Sequence, residues 1–263
     1  GTRSFFVNRF ARLYPLHIVT LLVVTALQFV ALHRFGYTLL YGHFDLNHFI
    51  AQIFMASDWI RWDANYSFNG PIWSVSVEIV IYALFWLTRG LVERFGLPLL
   101  AAMTLAFYFG QDSYGQWSNV LPCGFYFFFG CGVCQALRGC RGIFLLVPFL
   151  ALVGLGIAGA FQGSDWSWRF LGIPGFFGAA FLLLAQYENY APRLLRAVCK
   201  WLGETTYGAY LWHVPLQLVI LLVLLPGPEL HRLTASPWFL VAYLGAVIAI
   251  ARISYVHFER PVR

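Results

Sequence analysis

Long apolar runs alternate with short polar stretches along almost the whole chain. A helix needs about 20 mostly apolar residues to cross a hydrocarbon core of roughly 30 Å. Runs of that kind fall near residues 13–33, 71–88, 95–110, 119–137, 143–161, 168–187, 206–225 and 237–257. Each predicts a helix, because in lipid the backbone groups of a crossing segment must be paired within that segment. A further stretch, Asn47 to Ser57, is apolar but short, as interfacial or re-entrant segments are. The pattern therefore predicts an all-α, polytopic transmembrane helical bundle of about eight spans, with residues 1–263 forming one domain.

Composition agrees with that reading. The chain is 60% hydrophobic and only 11% charged, and its mean hydropathy is +0.70. A soluble chain is about a quarter charged, and even a large soluble domain buries only roughly 75% of its surface. The net charge is +6, but no Lys/Arg run interleaved with aromatics occurs, which excludes nucleic acid as the partner the charge suggests. The bilayer takes that place. If Asn47–Ser57 does not cross and Arg9 and Arg12 are cytoplasmic, then of the 17 Lys and Arg only Arg34, Arg61, Arg169 and Arg232 fall outside. This imbalance predicts eight spans with both ends cytoplasmic. The longest segment between spans, about Arg34 to Gly70, then lies outside. It carries His33, His43, His48, Trp59, Trp62 and Tyr66, and a loop of this length is usually functional or structured.

Two motifs match by letters more than by chemistry. Cys131-x-x-Cys134 has the spacing of metal or redox pairs. It lies in a Phe/Gly-rich apolar helix with no further ligands at matching spacing, so it predicts packing residues and no metal. Cys123, Cys140 and Cys199 complete an odd set of 5. Gly154-x-Gly156-x-x-Gly159 spells a dinucleotide fingerprint inside an apolar run with no preceding strand. It predicts close helix packing through small residues instead.

Glu78 lies about seven residues into its span. An ionisable group at that depth costs several kcal/mol unless it faces a partner or cavity, and it marks a functional candidate. A hydrogen-bonded carboxyl that pins two helices is the other reading. Trp73 and Ser74, five and four residues earlier, lie close to its face. Arg9 and Arg12, three residues apart, share a helix face, and paired guanidiniums suit phosphates, although spacing alone equally fits ordinary membrane anchors. His213 lies inside a span one turn after Tyr210, with Pro215 next to it breaking the backbone ladder. It is either an acid, base or binding group or a His satisfied by a Tyr or a carbonyl. Arg252, His257, Glu259 and Arg260 close the chain as interfacial groups.

Four stretches together resemble the acyltransferase-3 family of integral membrane acyl-CoA O-acyltransferases. They are Arg9-Phe-Ala-Arg12-Leu-Tyr-Pro15, Asn69-Gly-Pro-Ile-Trp73-Ser-Val-Ser-Val-Glu78, Leu202-Gly-Glu-Thr-Thr-Tyr207-Gly-Ala-Tyr210-Leu-Trp-His213 and Phe258-Glu-Arg-Pro261. The resemblance implies a ten-span fold that moves an acyl group, acetyl in the first instance, from acyl-CoA to a hydroxyl of a carbohydrate or lipid-linked glycan. It places such a protein in the bacterial inner membrane, with acyl-CoA as co-substrate and no permanently bound cofactor. It assigns Arg9 and Arg12 to the acyl-CoA phosphates and Glu78 and His213 to supporting catalytic roles. Trp73, Ser76, Tyr207 and Tyr210 are assigned to the substrate site. Members carry a catalytic His after an Arg near the outer end of their first span. This chain aligns from the segment before the third span, so two spans and that His are expected to be missing. His17 lies in a different helix from that His. The residues by themselves also admit a transporter or flippase, in which Glu78 and His213 bind protons or substrate, or a non-catalytic accessory subunit. The chain shows no internal repeat of the kind many transporters have.

Overall fold

The computed structural model describes residues 2–59, 66–110, 119–139, 144, 146–187, 190–224 and 229–262. Arg61, Trp62 and Cys140, weighed above, lie outside the described residues. Regular structure in the described residues is helical, apart from an isolated bridge between His43 and Ser67.

All eight predicted runs are helical. Among the described residues six helices are long and apolar enough to cross a membrane, residues 9–35, 72–95, 120–138, 165–187, 193–224 and 237–259, and the chain is an integral membrane protein. The other two runs form Leu97–Gly110 and Leu146–Phe161, of 14 and 16 residues. At 1.5 Å per residue their described residues rise about 21 and 24 Å, short of the roughly 30 Å core. Local sequence sets one of these boundaries. The helix Ile72–Phe95 ends where Gly96 takes the left-handed φ of +61° and its N–H closes on the Val92 carbonyl at 2.8 Å, the αL cap that favours glycine. The short apolar stretch near Asn47 forms an eight-residue helix, Leu46–Ile53, capped by Asp45, and is far too short to cross.

The chain folds as two compact units, residues 1–77 with 196–263, and residues 78–195. The first contains α1 (Thr2–Phe35), α2 (Leu46–Ile53), the first turns of α3 (Ile72–Phe95) and nearly all of the later helix Arg193–Leu224. Its core joins Leu21, Val24 and Ala31 of α1 to Val214, Leu218 and Leu222, with Leu39 and Phe68 inserted from the connecting segment. That segment is therefore part of the core. The buried Gln28 amide exchanges both of its hydrogen bonds with the Leu39 peptide, which satisfies a backbone unit that would be costly to bury unpaired. Arg34 donates to the Leu222 carbonyl at 2.8 Å.

The second unit holds the rest of α3, then α4 (Leu97–Gly110), α5 (Val120–Gly139), α6 (Leu146–Phe161) and the short α7 (Asp165–Ser167). A π turn, Trp168–Gly172, leads into α8 (Ile173–Tyr187). Aromatic rings fill it: Phe107 stacks on Phe128 at 5.6 Å, and Phe125 meets Phe170 edge-on at 5.2 Å. Two of the three glycines in the apparent fingerprint are contact points. A Cβ on Gly156 would sit 2.4 Å from the Gly172 backbone, and one on Gly159 would sit 2.3 Å from the Ser167 side chain. Gly154 faces open space.

After α8 the chain continues through α9 (Arg193–Leu224), α10 (Glu229–Thr234), α11 (Pro237–Ser254), a π turn at Tyr255–Glu259 and α12 (Arg260–Val262). Both α1 and α9 start well before the predicted runs at 13 and 206. The reason is local for α9. Pro192 precedes Arg193, and the stretch that follows is rich in good helix formers with no proline to stop it. Charge ended the predicted span but does not end the helix.

Candidate active site

In the first unit, Asn69-Gly70-Pro71 turns the chain into α3, and α9 passes beside this turn. Tyr210 of α9 donates its hydroxyl to the Pro71 carbonyl at 2.9 Å, and the Ser74 hydroxyl donates to Tyr210 Oη at 2.9 Å. Pro71 is the first-turn carbonyl of α3, and Ser74 lies three residues on, so the helix itself puts both groups within reach of one phenol. Next to them, His213 lies with its Nδ1 2.7 Å from the Tyr210 carbonyl. An N–H at that distance from a carbonyl donates, so the neutral ring keeps its lone pair on Nε2. The carbonyl-satisfied reading of His213 thus holds for one nitrogen and leaves the other able to accept a proton. The rings of Tyr210 and His213 are 6.0 Å apart. Tyr243 of α11 donates to the His213 carbonyl at 3.1 Å, partnering backbone close to Pro215, which lacks an N–H to give to the helix.

Two more phenols complete the cluster. Tyr66 faces Trp73 at 6.4 Å and Tyr41 edge-on at 6.0 Å. The Tyr41 ring lies directly on Gly70, where a Cβ would come within 2.5 Å of it. Only glycine allows that approach. Burial raises the pKa of the Tyr41 hydroxyl, with Tyr66 and Tyr210 as further causes, so it remains a neutral donor. The arrangement offers several oriented O–H donors, an imidazole acceptor and the half-exposed indole face of Trp73.

Beneath this turn runs a buried polar seam that sequence reasoning did not single out. His17, Thr20, Gln52 and Asn69 are each at most 1% exposed. His17 Nε2 donates to the Gln52 carbonyl at 2.7 Å, and Gln52 Nε2 donates to the Ser67 carbonyl at 2.9 Å. Asn69 donates to Thr20 at 3.0 Å. The polar side chains on the apolar helix α1 were the available signal. Their convergence depends on the fold of the connecting segment. Ser76 is fully buried, its hydroxyl accepts from the Asp58 N–H at 3.1 Å, and its carbonyl accepts from the Trp59 indole at 2.9 Å. Its hydroxyl is committed to holding that turn.

Arg9 and Arg12 lie in the early turns of α1, before Pro15, with Arg12 exposed and Arg9 half-buried. One turn on, Tyr207 of α9 donates to the Leu13 carbonyl at 2.6 Å, so this residue of the third motif anchors the α1 backbone. Arg252 pairs with Glu204 at 3.0 Å, and its guanidinium lies over the Trp201 and Tyr255 rings at 5.6 and 5.2 Å. Glu204 was not singled out from the sequence, and Glu259, expected at the interface, is buried. Gly208 leaves room there: a Cβ would meet the Ala251 Cβ and Glu259 Oε1 at 3.2 Å.

Glu78 belongs to the second unit. It is half-buried and accepts a hydrogen bond from the Tyr82 hydroxyl one turn along α3. Within that unit, the Tyr82 ring packs edge-on against Phe127 at 6.0 Å. The carboxyl is thus held by its own helix. Cys131 and Cys134, on α5, are both free thiols.

Paired arginines on the first helix, a Pro-Ile-Trp-Ser turn under a tyrosine and a helix-borne histidine occur together here in one helical membrane chain. The chain belongs to the acyltransferase domain family, which it matches over residues 1–256. Among curated proteins it is similar to the peptidoglycan O-acetyltransferase OatA of Listeria monocytogenes, with 25% identity over 310 residues, covering 99% of this chain and 46% of that protein. The chain thus spans less than half the length of that relative. No solved structure matches it.

Proposed function

We propose that this domain is the membrane-embedded part of an O-acyltransferase that moves an acetyl group from acetyl-CoA to a hydroxyl of a carbohydrate or lipid-linked glycan. Family membership supports acyl transfer, and the relative's name supports acetyl and a glycan acceptor. The observation that carries the reading is the Tyr210–Ser74–His213 cluster at the Pro71 turn.

Acyl transfer needs a base to take the acceptor's hydroxyl proton, donors to hold the oxyanion that forms on the thioester carbonyl, and a proton for the leaving thiolate. The acceptor oxygen bonds to the carbonyl carbon, and the carbon–sulfur bond breaks to release coenzyme A. In this chain Tyr210 and Ser74 are the hydroxyl donors, each turning to the substrate from its present acceptor, the Pro71 carbonyl and Tyr210 Oη, and His213 Nε2 is an acceptor that orients the incoming hydroxyl. Trp73 and Tyr66 supply aromatic faces on which the apolar face of a sugar ring packs. Arg9 and Arg12 bind the phosphates of coenzyme A as a charge-assisted fork. Glu78 serves as a supporting group, kept in place by Tyr82. The setting is the bacterial inner membrane, with the arginine end of α1 on the acyl-CoA side.

The test is radiolabelled acetyl-CoA supplied to membranes containing the full-length protein. Label in the glycan fraction is expected, and Tyr210→Phe should lower it strongly. Glycan crossing the membrane with no label incorporated would overturn the reading in favour of a transporter.

A further inference from the structure

A second chemical site lies where the segment after α1 enters α2, apart from the groups assigned to acyl transfer. His43, Asp45 and His48 each offer a ligand atom, and these atoms all lie within 4.8 Å of one another. His48 Nδ1 is 2.5 Å from Asp45 Oδ2, and the two imidazoles stack with centroids 4.8 Å apart. Two imidazoles and a carboxylate are the donor set that late first-row dications prefer, zinc above all. Around a tetrahedral zinc with ligand distances of about 2.1 Å, two ligand atoms sit roughly 3.4 Å apart. Separations of up to 4.8 Å must close by up to about 1.4 Å to reach that spacing, while the His48–Asp45 pair at 2.5 Å opens by about 0.9 Å as the ion replaces the hydrogen they share.

The backbone under these ligands is already fixed. The His43 backbone forms a bridge with Ser67. Between His43 and Asp45, the Phe44 ring packs on Phe29 at 5.1 Å and on Phe68 at 4.7 Å. Asp45 caps α2, with Oδ1 accepting from the Asn47 and His48 N–H groups at 3.0 and 3.1 Å. That leaves Oδ2 directed at His48. A carboxylate held by backbone donors, with its free oxygen on an imidazole, is the orientation that metal-binding histidines use. His48 lies in the first turn of α2 and Asp45 caps it, while His43 forms the bridge with Ser67, so a bound ion would staple the entrance of α2 to the segment beside Ser67.

We propose that His43, Asp45 and His48 form a zinc-type divalent cation site, completed by water, which fastens the segment carrying Tyr41. The location follows from the chain: Tyr41, whose ring lies on Gly70, is two residues before His43.

Cobalt(II) alone, titrated into metal-stripped, tag-free protein in detergent, tests this. Expected is a saturable one-to-one visible absorption of nitrogen/oxygen coordination, displaced by zinc, and a rise in thermal midpoint on zinc addition. His43→Gln with His48→Gln should weaken binding by about tenfold or more, the scale on which metal-site partners act. Asp45→Asn, which still caps α2, should weaken it as well. Three outcomes would overturn the site: no saturable absorption, a thiolate charge-transfer band instead, or unchanged affinity in both the double variant and Asp45→Asn.

Discussion

The Tyr210 hydroxyl donates to the Pro71 carbonyl at 2.9 Å, joining positions 139 residues apart in the chain. This one bond holds α9 against the turn that opens α3, and Ser74 and His213 are placed by the same two elements. Tyr210→Phe removes the donor and leaves the ring. A single hydrogen bond is worth about 1 kcal/mol net, and the Pro71 carbonyl keeps the Ser74 N–H and hydroxyl as partners at 3.3 and 3.2 Å. The expected result is a modest drop in thermal midpoint in detergent, together with a much larger loss of acetyl transfer, because the same hydroxyl serves the reaction. Equal losses of stability and activity would assign Tyr210 to structure alone.

Arg9 and Arg12 predict a specific kinetic split. With both changed to Ala in the full-length protein, the KM for acetyl-CoA should rise by about a hundredfold or more, since two charge-assisted contacts to phosphate contribute about 1.5–3 kcal/mol each. The KM for the glycan acceptor should stay near its original value. Initial-rate measurements at varied acetyl-CoA decide the matter, and unchanged acetyl-CoA kinetics would remove this role.

The glycines of α6 separate packing from spacing. A Cβ on Gly156 would fall 2.4 Å from the Gly172 backbone, whereas one on Gly154 meets nothing within 4 Å. Gly156→Ala should destabilise by about 1–3 kcal/mol, the range for overpacking. Gly154→Ala should be neutral or slightly stabilising, because alanine is the better helix former by about 1 kcal/mol. Thermal midpoints of the two variants in the same detergent give the comparison.

Tyr41 makes the pH prediction. Its folded pKa is raised above the ordinary tyrosine value by burial. The unfolded chain then loses this proton at lower pH than the folded one. Between the two values the folded state binds more protons, so stability is full below about pH 10 and falls as pH rises beyond it. Late-titrating tyrosinate absorbance should lose the contribution of one phenol in Tyr41→Phe, and the variant should lose less stability at alkaline pH than the parent does.

Arg252 and Glu204 offer a test of coupling. Both side chains are about 30% exposed, at 31% and 28%, so the pair itself contributes only on the order of 1 kcal/mol. Arg252→Met should cost more than that, because the guanidinium also covers the Trp201 and Tyr255 rings. In a double-mutant cycle with Glu204→Gln, the coupling energy should be smaller than the single effect of Arg252→Met.

Helix type and number were written in the chain. Eight apolar runs became eight apolar helices because a backbone in hydrocarbon has few alternatives to helix, and membrane chemistry reads composition directly. The chain's motifs also marked Tyr210, His213, Trp73 and Ser74, which the fold brings to one turn. Length was less legible. Among the described residues six helices reach spanning length and two fall short, while α1 and α9 extend past the apolar runs and continue through Pro15 and Pro215, because charge marks where a span leaves the membrane and does not itself stop a helix.

What only the tertiary structure decided is which polar groups meet. Ser76 and Ser74 are two residues apart on α3, yet one holds the Asp58 turn and the other bonds Tyr210. Gln52, Asn69, His17 and Thr20 come from three separate stretches and join only because the connecting segment folds into the core. The periodicity of an apolar helix carries little information on which face is buried, since lipid and protein interior are equally apolar. Partner choice therefore rests on long-range hydrogen bonds and on close approaches such as Tyr41 on Gly70, whose geometry no local pattern encodes.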